Sequence, residues 1–220
     1  MIVALLGDPV SASLSPLMQN AAFAARGLEW TYVALQVRTN QLEDALRGLV
    51  ALSFAGANVT TPHKLDVARL VAAEVPSVNT LLVRDGRLQG TSTDAAILDE
   101  LEFERAAILG SGGAAEAFAA AQPAARRFSR RGEWPPQVAD VDLVVNATSE
   151  RDAVLVELVA GQTLVDLPYP TTATARAAAG RGARVVDGLD VLVAQGAASF
   201  ELWTGVPAPV DVMRAAVRSA

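Results

Sequence analysis

The stretch RAAILGSGGAAEAFAAA, residues 105–121, gives the strongest indication of the fold class. Its apolar beginning predicts a buried strand over 105–109, and its alanine-rich end predicts a helix. The turn between them has the pattern Gly110-x-Gly112-x-x-Ala115. The first glycine permits a tight turn, the second lets the backbone approach a pyrophosphate, and the small third residue lets strand and helix pack closely. The stretch therefore predicts a dinucleotide-binding turn, with a glycine turn in an unrelated α/β protein as the alternative.

Strand and helix patterns alternate on both sides of this turn. Before it, the predicted strands cover 2–6, 30–35, 57–60, 80–84 and 88–90, the last two joined by Asp85-Gly86 as a hairpin. Helices are predicted from Ser15, from Asn40 as a cap, from Thr61-Pro62 and over 94–101. After the turn, strands are predicted to end near Ser129 and to cover 142–146, 164–166 and 184–186, followed by helices over 189–203 and 210–217. No helix is predicted between the strand ending at Ser129 and the strand over 142–146.

Composition excludes several classes of protein. The chain has 220 residues, 51% of them hydrophobic, and a net charge of −6 at a pI near 4.8. Such a chain can form a core, and its acidity argues against nucleic-acid binding. It contains no cysteine and one histidine, which argues against a metal site. Without an apolar run of about 18 residues or a basic N-terminal segment, a protein of the cytoplasm with no membrane partner is expected.

The end of the strand after the glycine turn bears on the choice of nicotinamide cofactor. That strand runs into Ser129-Arg130-Arg131, and guanidinium groups match the oxygens of a 2′-phosphate. The segment therefore favours NADP. A solvated basic turn is the alternative, and Glu133 nearby would favour NAD if the strand ended later.

Six polar residues stand at strand ends and helix starts of the first lobe, where α/β proteins usually bind ligands. They are Ser13, Ser15, Thr60, Lys64, Asn79 and Asp94. Each has a local explanation as a cap or turn residue, although a cation at the start of a helix opposes the helix dipole. As a set, they suit reduction of a ketone on a polyol, because an ammonium group stabilises the developing oxyanion and can deliver its proton. His63 is expected to be structural rather than a proton shuttle.

A series of segments resembles the shikimate dehydrogenase family in order and spacing over nearly the whole chain. The segments are Gly7-Asp8-Pro9-Val10, Ser13-Leu14-Ser15-Pro16, Gly56 to Lys64, Val78-Asn79-Thr80-Leu81, Thr93-Asp94, Gly110 to Ala114, Asn146-Ala147-Thr148-Ser149, Asp187-Gly188-Leu189 and Leu192-Val193-Ala194-Gln195. The resemblance implies an α/β protein with two lobes. A substrate-binding domain would cover residues 1–94, with C-terminal helices 190–220 returning to it, and a shortened Rossmann-type NADP-binding domain would cover 95–189.

The resemblance also implies an activity and site residues. The activity is NADPH-dependent reduction of 3-dehydroshikimate to shikimate, with Lys64 and Asp94 as the catalytic pair. Substrate-binding positions are Ser13, Ser15, Thr60, Asn79, Tyr169 and Gln195. Cofactor-binding positions are Gly110, Ser111, Gly112, Gly113, Ala114, Ser129, Arg130, Arg131, Asn146, Thr148, Leu167 and Gly188, the last two near the nicotinamide. No metal is implied, and the protein is expected to be a monomer or a homodimer.

The chain departs from the family pattern at four places. Ala12 stands for a usual histidine, Ser92 for the asparagine of an Asn-Thr-Asp triplet, and Asp190 for a glycine near the expected nicotinamide position. The segment between the glycine turn and Asn146 is also much shorter than usual. These departures leave two alternatives open: a quinate/shikimate dehydrogenase that uses NAD, and a non-catalytic relative that binds the substrate without a cofactor.

Overall fold

Ten strands form two five-stranded sheets, and seven α-helices accompany them in the computed structural model, which describes residues 1–220. The strands are β1 (Ile2–Gly7), β2 (Thr31–Gln36), β3 (Gly56–Val59), β4 (Thr80–Arg84), β5 (Arg87–Thr91), β6 (Ala106–Leu109), β7 (Arg126–Phe128), β8 (Leu143–Asn146), β9 (Thr163–Asp166) and β10 (Arg184–Val186). The helices are α1 (Ser15–Ala25), α2 (Leu42–Ala51), α3 (Lys64–Leu70), α4 (Gly113–Ala121), α5 (Ala173–Gly180), α6 (Gly188–Thr204) and α7 (Val210–Arg218). The chain divides into a first unit, Met1–Asp94 with Val193–Ala220, and a second unit, Ala95–Leu192.

The sheet of the first unit has the strand order β2-β1-β3-β4-β5. β1 pairs in parallel with β2 and β3, and β4 and β5 complete an antiparallel edge. The inner strand β1 is an apolar run whose residues 3–7 are buried, as is typical of a parallel strand covered on both faces. The predicted hairpin is confirmed, with Asp85 and Gly86 at positive φ as its turn requires.

Four predicted helix starts differ from the structure. The helix predicted to open at Thr61-Pro62 begins at Lys64. Ser15 is the first residue of α1 rather than its cap, and its N–H donates to Ser13 Oγ at 3.2 Å. Asn40 does not cap α2, because a 3₁₀ turn over Thr39–Gln41 runs directly into that helix and its carbonyls take the first N–H groups. The helix predicted over 94–101 is only a 3₁₀ turn, Ala96–Glu100.

The C-terminal helices pack on the first unit, as the predicted fold class requires. Gln19 Nε2 on α1 donates to the Gly196 carbonyl of α6 at 2.8 Å, and Trp203 Nε1 donates to the Leu81 carbonyl of β4 at 2.9 Å. Phe200 stacks on Phe23 with ring centroids 5.4 Å apart, and α7 packs against α1. The C-terminal helices α6 and α7 therefore contribute to the core of the first unit.

The sheet of the second unit is entirely parallel, in the order β10-β9-β8-β6-β7. No helix connects β7 to β8, which confirms the predicted shortening. An irregular segment takes that place and contributes Val138 and Val141 to the core, with Trp134 packed against it. The glycine turn connects β6 to α4, and in the sheet β6 lies between β7 and β8.

Two glycines in the first unit give a matched test of packing. A Cβ on Gly56 would contact the Leu81 carbonyl and lie 2.5 Å from Trp203 Nε1, whereas a Cβ on Gly48, within α2, would meet nothing within 4 Å. We expect Gly56→Ala to destabilise the protein by about 1–3 kcal/mol through overpacking. Gly48→Ala should stabilise it by about 0.5–1 kcal/mol because glycine weakens helix interiors. Urea unfolding measures both, and equal shifts in the two variants would contradict the packing at Gly56.

Candidate active site

Lys64 and Asp94 form a largely buried ion pair in the first unit. Lys64 Nζ lies 2.7 Å from both carboxylate oxygens of Asp94, and the two side chains are 13% and 9% exposed. Lys64 is the first residue of α3, and Asp94 follows β5 by three positions. The Asp94 carboxylate therefore offsets the unfavourable position of a cation at a helix N-terminus.

The Asn79 side chain holds the Asp94 carboxylate from the other side. Asn79 Nδ2 donates to Asp94 Oδ1 at 2.9 Å, and its Oδ1 accepts the Thr93 backbone N–H at 2.7 Å. Because the Asn79 oxygen faces this backbone donor, the amide nitrogen must face the carboxylate. Asn79 Nδ2 also lies 3.2 Å from Gln195 Oε1 on α6, so two of the predicted substrate-binding residues are adjacent.

A buried polar network, which sequence reasoning missed, lies beneath Asn79. It consists of Tyr32, Asn58, Thr80, Thr93 and Ser199. Asn58 Nδ2 donates to the Asn79 carbonyl at 3.0 Å and to Ser199 Oγ at 3.0 Å, and its Oδ1 accepts the Tyr32 hydroxyl at 2.9 Å. Burial raises the pKa of the Tyr32 phenol, so it stays protonated and donates. An asparagine in the middle of the short strand β3 was the sequence signal for this network.

Strand direction explains why the predicted residues of the first unit come together. β1, β3 and β5 run the same way, so their carboxyl ends lie at one edge of the sheet, and antiparallel β4 begins at that edge. The loop after β1 carries Ser13 and leads to Ser15 at the start of α1, and the loop after β3 carries Thr60 and leads to Lys64 at the start of α3. The Asp8 N–H donates to the Thr61 carbonyl at 3.0 Å, which joins these two loops.

Lys64 is the only lysine in the chain, and the other seventeen basic side chains are arginines. This is visible in the sequence alone. Arginine stays protonated in proteins, whereas a lysine ammonium can give up its proton. Lys64 therefore carries the only side-chain ammonium of the chain.

His63 precedes Lys64 and is fully buried. Its Nε2 lies 2.6 Å from the Val37 carbonyl, and its Nδ1 has no partner. A ring closed off from solvent and hydrogen-bonded to the backbone agrees with the structural role expected for it.

The glycine turn of the second unit has room for a phosphate. Gly110 has a φ of +126°, and a Cβ there would lie 2.9 Å from the Ala147 carbonyl oxygen. A Cβ on Gly112 would meet nothing within 4 Å, and no side chain caps the N-terminus of α4. The first N–H groups of α4, from Gly113 and Ala114, are therefore open to an anion beside Ser111.

The basic segment after β7 contains one arginine that forms an ion pair and one that does not. Arg130 Nη2 donates to Glu150 Oε2 at 3.2 Å, whereas Arg131 is exposed and pairs with no carboxylate. The Ser129 carbonyl accepts the Gly132 N–H at 2.9 Å and closes a tight turn around both. Glu133 lies at the limit of ion-pair distance from Arg126, 4.0 Å.

Other predicted cofactor positions lie at the carboxyl ends of β8 and β9. Asn146 is fully buried, donating to Asp166 Oδ1 at 2.7 Å and accepting from Thr148 Oγ1 at 2.8 Å, so it supports its loop from within. A Cβ on Gly188 would contact the Leu167 carbonyl, which places these two residues side by side. Tyr169 also belongs to the second unit, whereas the other predicted substrate-binding residues belong to the first.

No group of three or more His, Cys, Asp or Glu side chains is placed to hold a metal ion. No helix has both the length and the apolar composition needed to cross a membrane.

The parallel sheet with its glycine turn and the buried lysine–aspartate pair define an α/β dehydrogenase. A scan against protein-family models matches residues 5–81 to the shikimate dehydrogenase substrate binding domain and residues 188–218 to the shikimate 5′-dehydrogenase C-terminal domain. A shikimate dehydrogenase (NADP(+)) of Moorella thermoacetica is 40% identical over 275 aligned positions, which cover 100% of this chain and 93% of the relative. One of Anaeromyxobacter sp. strain Fw109-5 is 40% identical, covering 96% and 94%. The chain therefore belongs to the shikimate dehydrogenase family.

Solved structures agree with this assignment. The shikimate 5-dehydrogenase of Thermus thermophilus, in complex with NADP(H) and shikimate, matches with a TM-score of 0.84 at 29% identity, covering 100% of this chain and 99% of that one. The shikimate dehydrogenase of Aquifex aeolicus matches with a TM-score of 0.87 at 28% identity, covering 99% and 97%. The fold of the family is therefore retained despite the missing helix.

The ion pair makes a testable contribution to stability. Lys64→Met leaves the buried Asp94 carboxylate without its cation, and we expect a loss of up to about 3 kcal/mol in the free energy of unfolding. Adding Asp94→Asn removes the unpaired charge, so the double variant should regain more than half of that loss. Urea unfolding of the single and double variants measures this, and additive losses would show that the two side chains are not coupled.

Proposed function

We propose that this protein reduces 3-dehydroshikimate to shikimate with NADPH, a step toward chorismate and the aromatic amino acids. One observation carries the proposal: the only lysine of the chain is held by a buried aspartate at the sheet edge where hydroxyl and amide side chains collect. Membership of the shikimate dehydrogenase family supports it.

The residues of the first unit have complementary roles in this proposal. The Lys64 ammonium donates a hydrogen bond to the ketone oxygen, stabilises the negative charge that develops there and delivers the proton. Asp94 holds the ammonium in place and accepts a hydrogen bond from a neighbouring substrate hydroxyl. Ser13, Ser15, Thr60, Asn79 and Gln195 supply the remaining polar contacts to the carboxylate and hydroxyls of the substrate, and the family resemblance assigns Tyr169 a substrate-binding role as well.

The second unit is proposed to bind the cofactor. NADPH, when bound, supplies the hydride. The turn from Gly110 to Ala114 fits a pyrophosphate because its N–H groups and the open face of Gly112 are available. Ser129, Arg130 and Arg131 offer donors to a 2′-phosphate, and Thr148 lies on the adjacent loop. In this proposal Leu167 and Gly188 lie near the nicotinamide.

A matrix of two substrates and two cofactors tests the function. Purified protein should oxidise NADPH on addition of 3-dehydroshikimate. Faster reaction of quinate with NAD would instead identify a quinate/shikimate dehydrogenase. Calorimetric binding of shikimate without binding of either cofactor would identify a non-catalytic relative, as Asp190 and the shortened second unit leave open. We also propose that the protein is cytoplasmic, that small molecules are its only partners, and that it is a monomer or a homodimer.

Asp94→Asn tests the role of the pair in catalysis. One of the two carboxylate oxygens that contact Lys64 becomes an NH₂ group, which would point a hydrogen-bond donor at the ammonium. We therefore expect kcat to fall about 100-fold or more. Asp99→Asn, at an exposed position of the Ala96–Glu100 turn, removes the same charge and serves as the control. Steady-state rates measure both variants, and equal activities would exclude Asp94 from the catalytic machinery.

A further inference from the structure

The ion pair between Arg130 and Glu150 joins the two loops on either side of the glycine turn. Arg130 follows β7 and Glu150 follows β8, and β6 lies between these strands in the sheet. The pair therefore crosses the carboxyl end of β6, where the glycine turn begins. Two strand spacings, roughly 10 Å, separate β7 from β8, and the two long side chains span that distance.

The Glu150 carboxylate is the fixed member of this pair. Its Oε1 accepts the backbone N–H groups of Arg151 and Asp152 at 3.1 Å each and that of Ala153 at 3.4 Å. The N–H groups of Asp152 and Ala153, with Arg130 and Arg151 adding to them, hold the pKa of the Glu150 carboxyl below its usual range. The carboxylate is therefore charged at neutral pH.

The loop that carries Glu150 is itself anchored in the core. The Glu150 N–H donates to Thr148 Oγ1 at 3.3 Å, Thr148 Oγ1 donates to Asn146 Oδ1, and Asn146 donates to the buried Asp166. Arg130, by contrast, has a side chain that is 67% exposed and reaches the carboxylate with a single 3.2 Å contact. Glu150 is thus an anion held in place by its own loop, and the exposed Arg130 side chain reaches it with one contact.

We propose that Glu150 is a specificity-determining residue, which competes with the 2′-phosphate of NADP for the Arg130 guanidinium. This inference rests on the proposed function, because it presumes that a dinucleotide binds over the glycine turn. A 2′-phosphate that binds Arg130 must take the guanidinium from the carboxylate or share it with the carboxylate, whereas NAD, which lacks that phosphate, requires neither. Glu150 therefore lowers the preference for NADP, and Arg131, which has no acidic partner, supplies the uncontested cation.

Glu150→Gln is a conservative test of this competition. The glutamine oxygen can still accept the backbone N–H groups of residues 151–153, so the loop keeps its anchor while the negative charge is lost. Because exposed ion pairs are weak, we expect NADP⁺ to bind about three- to fivefold more tightly, with little change for NAD⁺. Calorimetric titration with NADP⁺, NAD⁺, 2′,5′-ADP and 5′-AMP measures binding without turnover, and the fragment with a 2′-phosphate should follow NADP⁺.

Glu157→Gln is the matched control. Glu157 pairs with Arg181 at 2.7 Å in the same unit, and Arg181 precedes β10, which places it at the opposite edge of the sheet. Its removal changes the net charge equally and should leave both affinities unchanged. In an Arg130→Gln background, Glu150→Gln should no longer affect NADP⁺ binding, because the contested cation is gone.

The outcomes separate this inference from the proposed function. If the unmodified protein binds neither cofactor, the proposed function is wrong. If it binds NADP⁺ but Glu150→Gln tightens NADP⁺ and NAD⁺ equally, or acts as strongly without Arg130, the carboxylate does not compete for that guanidinium. In that case only the present inference is overturned.

Discussion

The charged hydrogen bonds between the Lys64 ammonium and the Asp94 carboxylate are the interaction on which the site depends. Each group alone would be costly to bury, so each is tolerated because of the other. The pair also joins two distant parts of the chain, because Lys64 starts α3 and Asp94 ends the first stretch of the first unit. Asn79 fixes the carboxylate in one orientation, so the ammonium has a defined direction before any substrate arrives.

The buried network beneath the pair gives that direction its rigidity. Tyr32, Asn58, Thr80, Thr93 and Ser199 satisfy one another and leave Asn79 few alternative orientations. Ser199 comes from α6, so the C-terminal part of the chain supports residues more than one hundred positions earlier. A fully satisfied polar network can specify one arrangement of a core where apolar side chains would permit several.

The sequence predicted the fold and the residues of the candidate site better than the contacts between those residues. The succession of strands, most helices and the hairpin at Asp85-Gly86 followed from local patterns of apolar, glycine and proline residues. Helix α5 was not predicted, and the loss of a helix before β8 was expected from the comparison with the family pattern. The caps at Ser15 and Asn40 were wrong, because a side chain that is able to cap competes with 3₁₀ turns and neighbouring hydroxyls that only tertiary structure reveals. The Asn58 network and the Arg130–Glu150 pair join residues far apart in the chain, so local patterns could not predict the partners, even though an asparagine within β3 indicated that Asn58 needs buried polar partners. The single lysine, by contrast, can be read directly from the sequence.

In the proposed mechanism, Lys64 delivers a proton and does not merely supply a positive charge. Lys64→Arg tests this claim, because arginine keeps the charge and the hydrogen bonds to Asp94 but retains its proton. With saturating NADPH and 3-dehydroshikimate, kcat of this variant should fall by about 100- to 10,000-fold, while calorimetry still detects shikimate binding. Turnover within tenfold of the unmodified enzyme would contradict the claim.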